Sequence, residues 1–133
     1  RMRVLVVEDE PVNRALLRAV FSRAREQAYA VDLTESVNLA AARQALRDAD
    51  FDVIILDVRL PDGNGLDLAR ELAAARGNAR PKVLIMSASV LKSDRDAAIT
   101  AGGDAFLPKP FRLGDLTAVL DRFASAGAWA EAV

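Results

Sequence analysis

Apolar and polar positions along this chain switch five times between a strand-like and a helix-like pattern. Val4-Leu-Val-Val7 is apolar at every position, which predicts a strand buried on both faces. Pro11 suits the first turn of a helix, and Val12, Ala15, Leu16, Ala19 and Val20 recur at helical spacing as its expected inward stripe. Tyr29 to Leu33 alternates and predicts a second strand near an edge. Ser36 is the expected N-cap of a helix carrying Val37, Ala40, Ala41, Ala45 and Leu46. Val53-Ile-Ile-Leu56 predicts a third, strongly buried strand that closes on Asp57. Leu66, Leu68, Ala69, Leu72 and Ala73 mark the next helix, with Gly77 near its end. Lys82 to Met86 predicts the fourth strand, and Asp94 to Ala101 a short helix stopped by Gly102-Gly103. Ala105 to Leu107 predicts the fifth strand, cut off by Pro108 and Pro110. Leu113 to Phe123 predicts the last helix, with Leu116, Val119, Leu120 and Phe123 facing inward.

Strands alternating with helices imply right-handed crossover units and a parallel sheet covered on both faces. Five such units fit an α/β, flavodoxin-like, doubly wound (βα)5 fold with a five-stranded parallel sheet in the order 2-1-3-4-5. No internal boundary, repeat or low-complexity tract interrupts the pattern, so residues 1–124 read as one domain. Residues 125–133 are alanine-rich and broken by Gly127; they are expected to extend the last helix or to begin a linker. The opening Arg1-Met2 is compatible with an excised domain.

Composition narrows the chemistry. The 133 residues suffice for one core, and 52% apolar with 28% charged residues describes a soluble globular chain. A net charge of -1 argues against gripping nucleic acid by charge. The absence of cysteine excludes disulfides, thiol catalysis and thiolate metal sites. The absence of histidine removes the usual general base and the usual transition-metal ligand. Any metal must then take oxygen ligands, which points to magnesium, manganese or calcium. No stretch approaches the length of a membrane span and no signal peptide is visible, so a cytoplasmic location is the default expectation.

The expected strand order brings the tips of strands 1, 3, 4 and 5 to one edge of the sheet, where ligands bind in open parallel sheets. Those tips carry Glu8 and Asp9, Asp57, Ser87, and Lys109. Two carboxylates about 5 Å apart at an effective dielectric of about 20 repel by roughly 3 kcal/mol. A divalent cation removes that conflict, and magnesium prefers a few carboxylates, carbonyls and retained waters. An aspartate can also attack phosphorus to form an acyl phosphate without a base, being ionised at neutral pH. Magnesium, the Lys109 ammonium and the Ser87 hydroxyl would then hold the three phosphoryl oxygens. Each residue alone has a plain structural reading: Asp9 as a helix cap, Asp57 as a turn cap, Ser87 as a strand-end hydroxyl, Lys109 as a solvated loop charge and Phe106 as core. Together, complementary chemistry stands at four adjacent strand tips and is missing from strand 2, the one outside the cluster.

With these residues in place, the chain resembles a response-regulator receiver domain of two-component signalling over about residues 3 to 124. The matching motifs are Val-Leu-Val-Val-Glu-Asp-Glu-Pro, Asp-Val-Arg-Leu-Pro-Asp-Gly-Asn-Gly, the strand ending Met-Ser-Ala, and Phe-Leu-Pro-Lys-Pro-Phe. The Glu-Asp-Glu-Pro-Val-Asn-Arg stretch is most similar to receivers fused to hybrid histidine kinases. The resemblance implies that Asp57 accepts a phosphoryl group from a phosphohistidine on a histidine kinase or histidine phosphotransfer protein. It implies that Glu8, Asp9, Asp57 and the backbone carbonyl of Arg59 bind Mg2+, Asp9 directly and Glu8 through water. It implies that Ser87 is the switch hydroxyl, Lys109 the phosphate-binding lysine, Lys109-Pro110 a cis bond and Phe106 the rotating switch aromatic. An output domain, a protein partner or a second copy in a homodimer would read the face of helix 4, strand 5 and helix 5. Neither nucleic acid nor membrane is contacted directly in this reading, and the only chemistry is self-phosphorylation and self-dephosphorylation.

Three positions depart from the family pattern. Phe106 lacks the hydroxyl of a tyrosine, Arg59 puts a bulky cation two residues past Asp57, and Ser89 stands two past Ser87. Two other readings compete. A pseudo-receiver would use the fold as an unphosphorylated scaffold, against which the complete acidic set and Lys109 argue. A magnesium-dependent aspartyl-phosphate phosphatase wants an acid where Arg59 stands.

Overall fold

The computed structural model describes residues 2–24, 30–75, 81–89 and 91–126. Five strands form the sheet: β1 (Met2–Val7), β2 (Val31–Ser36), β3 (Val53–Asp57), β4 (Lys82–Ser87) and β5 (Ala105–Pro108). Five helices alternate with them: α1 (Pro11–Ala24), α2 (Leu39–Asp48), α3 (Gly65–Ala74), α4 (Lys92–Thr100) and α5 (Leu113–Ala126). The strands run parallel in the order β2-β1-β3-β4-β5, as the alternating pattern predicts. Registers such as Val7 opposite Leu56 and Asp57 opposite Met86 bring neighbouring strands to their carboxyl ends nearly level.

Two apolar clusters flank the sheet, because successive residues of a strand point to opposite faces. Val4, Val6, Val53, Ile55, Leu84 and Met86 pack on one face with Leu17, Val20 and Phe21 of α1 and Leu116, Leu120 and Phe123 of α5. Leu5, Val7, Ile54, Leu56, Val83 and Ile85 pack on the other with Leu39 and Ala42 of α2, Leu66, Leu68 and Ala69 of α3, and Ala98 of α4. Central strands buried on both sides explain the unbroken apolar runs in the sequence. Among the described residues, no helix is long and apolar enough to cross a membrane.

Several local expectations are corrected. Of the stripe expected to bury α1 only Val20 is buried: Val12 is 70% and Leu16 45% exposed, and Ala15 and Ala19 are exposed as well. The helix is rolled so that Leu17, Val20 and Phe21 meet the sheet. Leu17 and Phe21 offer more apolar area than Ala15 and Ala19 of the expected stripe, and burial scales with area. Ser36 does not cap α2; it ends β2 and is buried. Asn38 is the cap, accepting the Ala41 N–H at 2.8 Å. Asp62, from the loop after β3, accepts the Leu39 and Ala40 N–H groups at 2.8 and 2.9 Å. α4 begins at Lys92, two residues before the expected Asp94. Gly102 then takes φ +101, and a Cβ there would lie 2.7 Å from the Ala73 Cβ. β2 starts at Val31; Tyr29 and Gly77 lie outside the described residues. α5 runs past Phe123 to Ala126, and residues 127–133 of the expected extension lie outside the described residues.

Candidate functional site

The site grows from the carboxyl ends of β1, β3, β4 and β5. As the chain leaves β1, the Glu8 N–H donates to the Ser36 carbonyl at 3.0 Å, and the Glu8 side chain is fully buried. Arg14, on the second turn of α1, donates from Nη1 to the carbonyls of Glu8 (3.0 Å) and Asp9 (2.9 Å). Its Nε lies 3.5 Å from Glu35 at the end of β2, so the acidic loop is clamped between helix and sheet. Asn13 Nδ2 donates to Glu8 Oε1 at 2.5 Å. Among the described residues no hydrogen bond or ion pair engages the Asp9 carboxylate, so the helix-cap reading of Asp9 is not realised.

Asp57 closes β3 and is buried. The Val58 N–H donates to the Met86 carbonyl at 3.1 Å and the Gly65 N–H to the Val58 carbonyl at 2.8 Å. Between them Arg59–Leu60 pairs antiparallel with Gly63–Asn64. A Cβ on Gly65 would lie 2.0 Å from the Asp57 carbonyl oxygen, so only glycine lets α3 start against the strand tip. Ser87 ends β4, buried, and its Oγ accepts the Ser89 N–H at 3.1 Å. The Lys109 N–H donates to the Ser87 carbonyl at 2.8 Å, and the Lys109-Pro110 bond is cis.

These elements bring together the residues the sequence singled out. Lys109 Nζ donates to Glu8 Oε1 at 2.8 Å and to Asp57 Oδ2 at 2.9 Å. Glu8, Asp9 and Asp57 each offer a carboxylate oxygen, and these oxygens lie within 4.8 Å of one another. Burial pushes the Glu8 carboxyl above its usual range; the neighbouring Asp57 adds to this and Lys109 opposes it. Burial alone would lower the Lys109 pKa, but the hydrogen bonds to Glu8 and Asp57 outweigh it and raise it. Arg59 stands at the rim, exposed, with its N–H 3.4 Å from Asp57 Oδ1. Phe106 lies apart from the cluster: it is half-buried on β5, with the Arg95 guanidinium 5.6 Å above its ring.

Asp57, Asp9, Arg59, Ser87 and Lys109 line one open cleft of about 540 Å3, with Ser89, Leu91 and Asp94 on the same walls. Among the described residues the Lys109 ammonium contacts two of the three carboxylates, and Glu8 Oε2 is buried without a hydrogen-bond partner. An all-oxygen donor set with surplus negative charge and an unpartnered oxygen fits a hard divalent cation. Sequence reasoning missed Asn13, Arg14, Asp62 and Asp94. Only Arg14 carried a usable signal, a cation one helical turn past Glu10 on the helix that follows the acids. A doubly wound sheet with this acid–lysine cluster at its switch edge defines a class of phosphoryl- or cation-binding α/β domain.

Comparison with known proteins narrows that class. Residues 4–121 match the family model described as the response regulator receiver domain, and the chain belongs to that family. It is 38% identical over 117 residues to the KDP operon transcriptional regulatory protein KdpE of Escherichia coli, covering 88% of this chain and 48% of that protein. It is 40% identical over 117 residues to the transcriptional regulatory protein CutR of Streptomyces coelicolor, covering 88% and 51%. The chain thus spans about half the length of these relatives. Among solved structures, the receiver domain of the sensor histidine kinase PA1611 from Pseudomonas aeruginosa is similar with a TM-score of 0.80 and 27% identity, covering 94% of this chain and 98% of that one. That protein has a magnesium ion coordinated in its active site cleft.

Proposed function

We propose that this chain is a phosphorelay receiver whose Asp57 takes a phosphoryl group from a phosphohistidine on a histidine kinase or histidine phosphotransfer protein. The observation that carries this reading is the contact of Lys109 with both Asp57 and Glu8, beside the carboxylate of Asp9. Glu8, Asp9, Asp57 and the Arg59 carbonyl would hold Mg2+, which when bound neutralises the carboxylates and the charge on the phosphoryl oxygens. An Asp57 oxygen attacks phosphorus, the bond to the donor nitrogen breaks, and its electron pair stays with the imidazole. Lys109, already beside Asp57 Oδ2, supplies an ammonium for one phosphoryl oxygen, and Ser87 Oγ supplies a hydrogen bond to another.

The switch follows from the same hydroxyl. When Ser87 Oγ turns to the phosphoryl group, Phe106 moves and the face of α4, β5 and α5 changes, so that an output domain, a partner or a second copy reads it. The solvent-facing Leu91, which precedes α4, Ile99 of α4 and the half-buried Phe106 support that face. In this reading residues 1–124 form the receiver and 125–133 extend its last helix or begin a linker. The domain is a cytoplasmic switch with only self-phosphorylation and self-dephosphorylation chemistry, and it contacts neither nucleic acid nor membrane itself. Incubation with radiolabelled acetyl phosphate tests the reading: label should enter in magnesium and stay out with EDTA. Absence of label under both conditions would favour an unphosphorylated scaffold.

A further inference from the structure

Two groups on the cleft wall have no task in phosphoryl transfer, Ser89 and Asp94. Ser89 Oγ donates to the Asp94 carboxylate. The Ser89 N–H donates to Ser87 Oγ at 3.1 Å, and Ser89 Oγ accepts the Leu91 N–H at 3.2 Å. A hydroxyl held in this way fixes a carboxylate at the start of α4, and both residues line the cavity that Asp57 lines. Displacement at phosphorus needs the entering oxygen roughly in line with the leaving one. Asp57 would be the leaving group when its acyl phosphate is hydrolysed. Because it is buried at its strand tip, the side opposite its bond to phosphorus is the open cleft. Asp94 is exposed there, where water reaches it.

Resting on the assignment of Asp57 as phosphoacceptor, the geometry points to Asp94 as the group that holds and deprotonates the water that hydrolyses the Asp57 phosphate, with Ser89 positioning it. The water oxygen bonds to phosphorus, and the bond from phosphorus to the Asp57 oxygen breaks with its electron pair returning to the carboxylate. One water proton passes to Asp94 and from there to solvent, and inorganic phosphate leaves. Positioned acid–base groups typically contribute about a hundredfold or more, so losing one should be plain in a decay rate. The bland alternative is helix capping, since Leu91, the cap residue of α4, makes no side-chain capping bond. Asp94→Asn separates the two, because the amide oxygen still accepts from Ser89 but takes no proton.

The experiment loads the full chain with radiolabelled acetyl phosphate and magnesium, removes the donor and follows loss of label in water and in deuterium oxide. The parent should lose label more slowly in deuterium oxide. Asp94→Asn should still load, should lose label at least about tenfold more slowly, and should show a smaller isotope effect. Ser89→Ala should shift decay in the same direction by less. An unchanged decay rate in Asp94→Asn overturns the inference. Equal slowing of loading and decay, with a lowered melting temperature, assigns the pair to capping and overturns it too. Slower decay in Glu10→Gln with parental decay in Asp94→Asn would move the role to Glu10 and overturn it. A parent that never loads refutes the phosphoacceptor assignment instead, a distinct result.

Discussion

Lys109 and Asp57 are 52 residues apart in the chain, yet the ammonium donates to the carboxylate at 2.9 Å. The same nitrogen reaches Glu8, 101 residues away, at 2.8 Å. One cation therefore offsets part of the repulsion among three acids and leaves the remainder for a ligand to remove.

That surplus makes metal binding visible as stability. Magnesium should raise the melting temperature, and at about a hundred times its dissociation constant the gain is about 2.7 kcal/mol by mass action. Asp9→Asn should shrink the gain and leave the metal-free fold intact, as no hydrogen bond or ion pair engages the Asp9 carboxylate among the described residues. Calorimetry with and without EDTA reads both. An unshifted wild type would contradict a shared cation site.

Glu8 makes the metal-free protein sensitive to pH. Its folded pKa lies above its ordinary 4.5 because it is buried. A group raised on folding adds stability that is full below the unfolded value and is lost as pH rises through the folded one. In EDTA, stability should thus decline from about pH 4.5 upward through the folded Glu8 value, and Glu8→Gln should flatten that part of the curve. Denaturant melts across that range supply the check. A Glu8→Gln profile with the parental slope would contradict it.

The roll of α1 separates two adjacent leucines. Leu17 is fully buried and Leu16 is 45% exposed. Leu17→Ala should cost about 2–5 kcal/mol through lost burial and a cavity, whereas Leu16→Ala should stay within about 0.5 kcal/mol. Urea melts of the two variants decide it, and a reversed order would restore the stripe expected from sequence.

Ser87 and Phe106 can be tested apart from the chemistry. Ser87→Ala should still accept label, but the fluorine NMR signal of fluorophenylalanine at residue 106 should no longer shift on phosphorylation. A full parental shift in that variant would show that the ring moves without the hydroxyl.

What was legible in the sequence follows from which forces are local. β1, β3 and β4 are apolar on both faces, so their burial could be read directly, and strand order followed from five alternating units. The strand tips carried their chemistry in plain sight, because Glu8, Asp9, Asp57, Ser87 and Lys109 each border an apolar run. The roll of α1 was not legible. Val12, Ala15, Leu16 and Ala19 space as well as Leu17, Val20 and Phe21, and only contact with the sheet chooses between them. The double amide contact of Asp62 on α2 was hidden for a similar reason, as the partners are 23 and 22 residues apart. Asp94 reads as an ordinary first-turn acid until β4 and α4 place it on the cleft.

The central claim is that Asp57 forms an acyl phosphate. Borohydride reduces an acyl phosphate on aspartate to homoserine, which mass spectrometry locates within a peptide. After treatment with acetyl phosphate and magnesium, homoserine should appear at residue 57, and Asp57→Asn should yield none. Homoserine at Asp9 or another acid, with residue 57 unmodified in the wild type, would contradict the account.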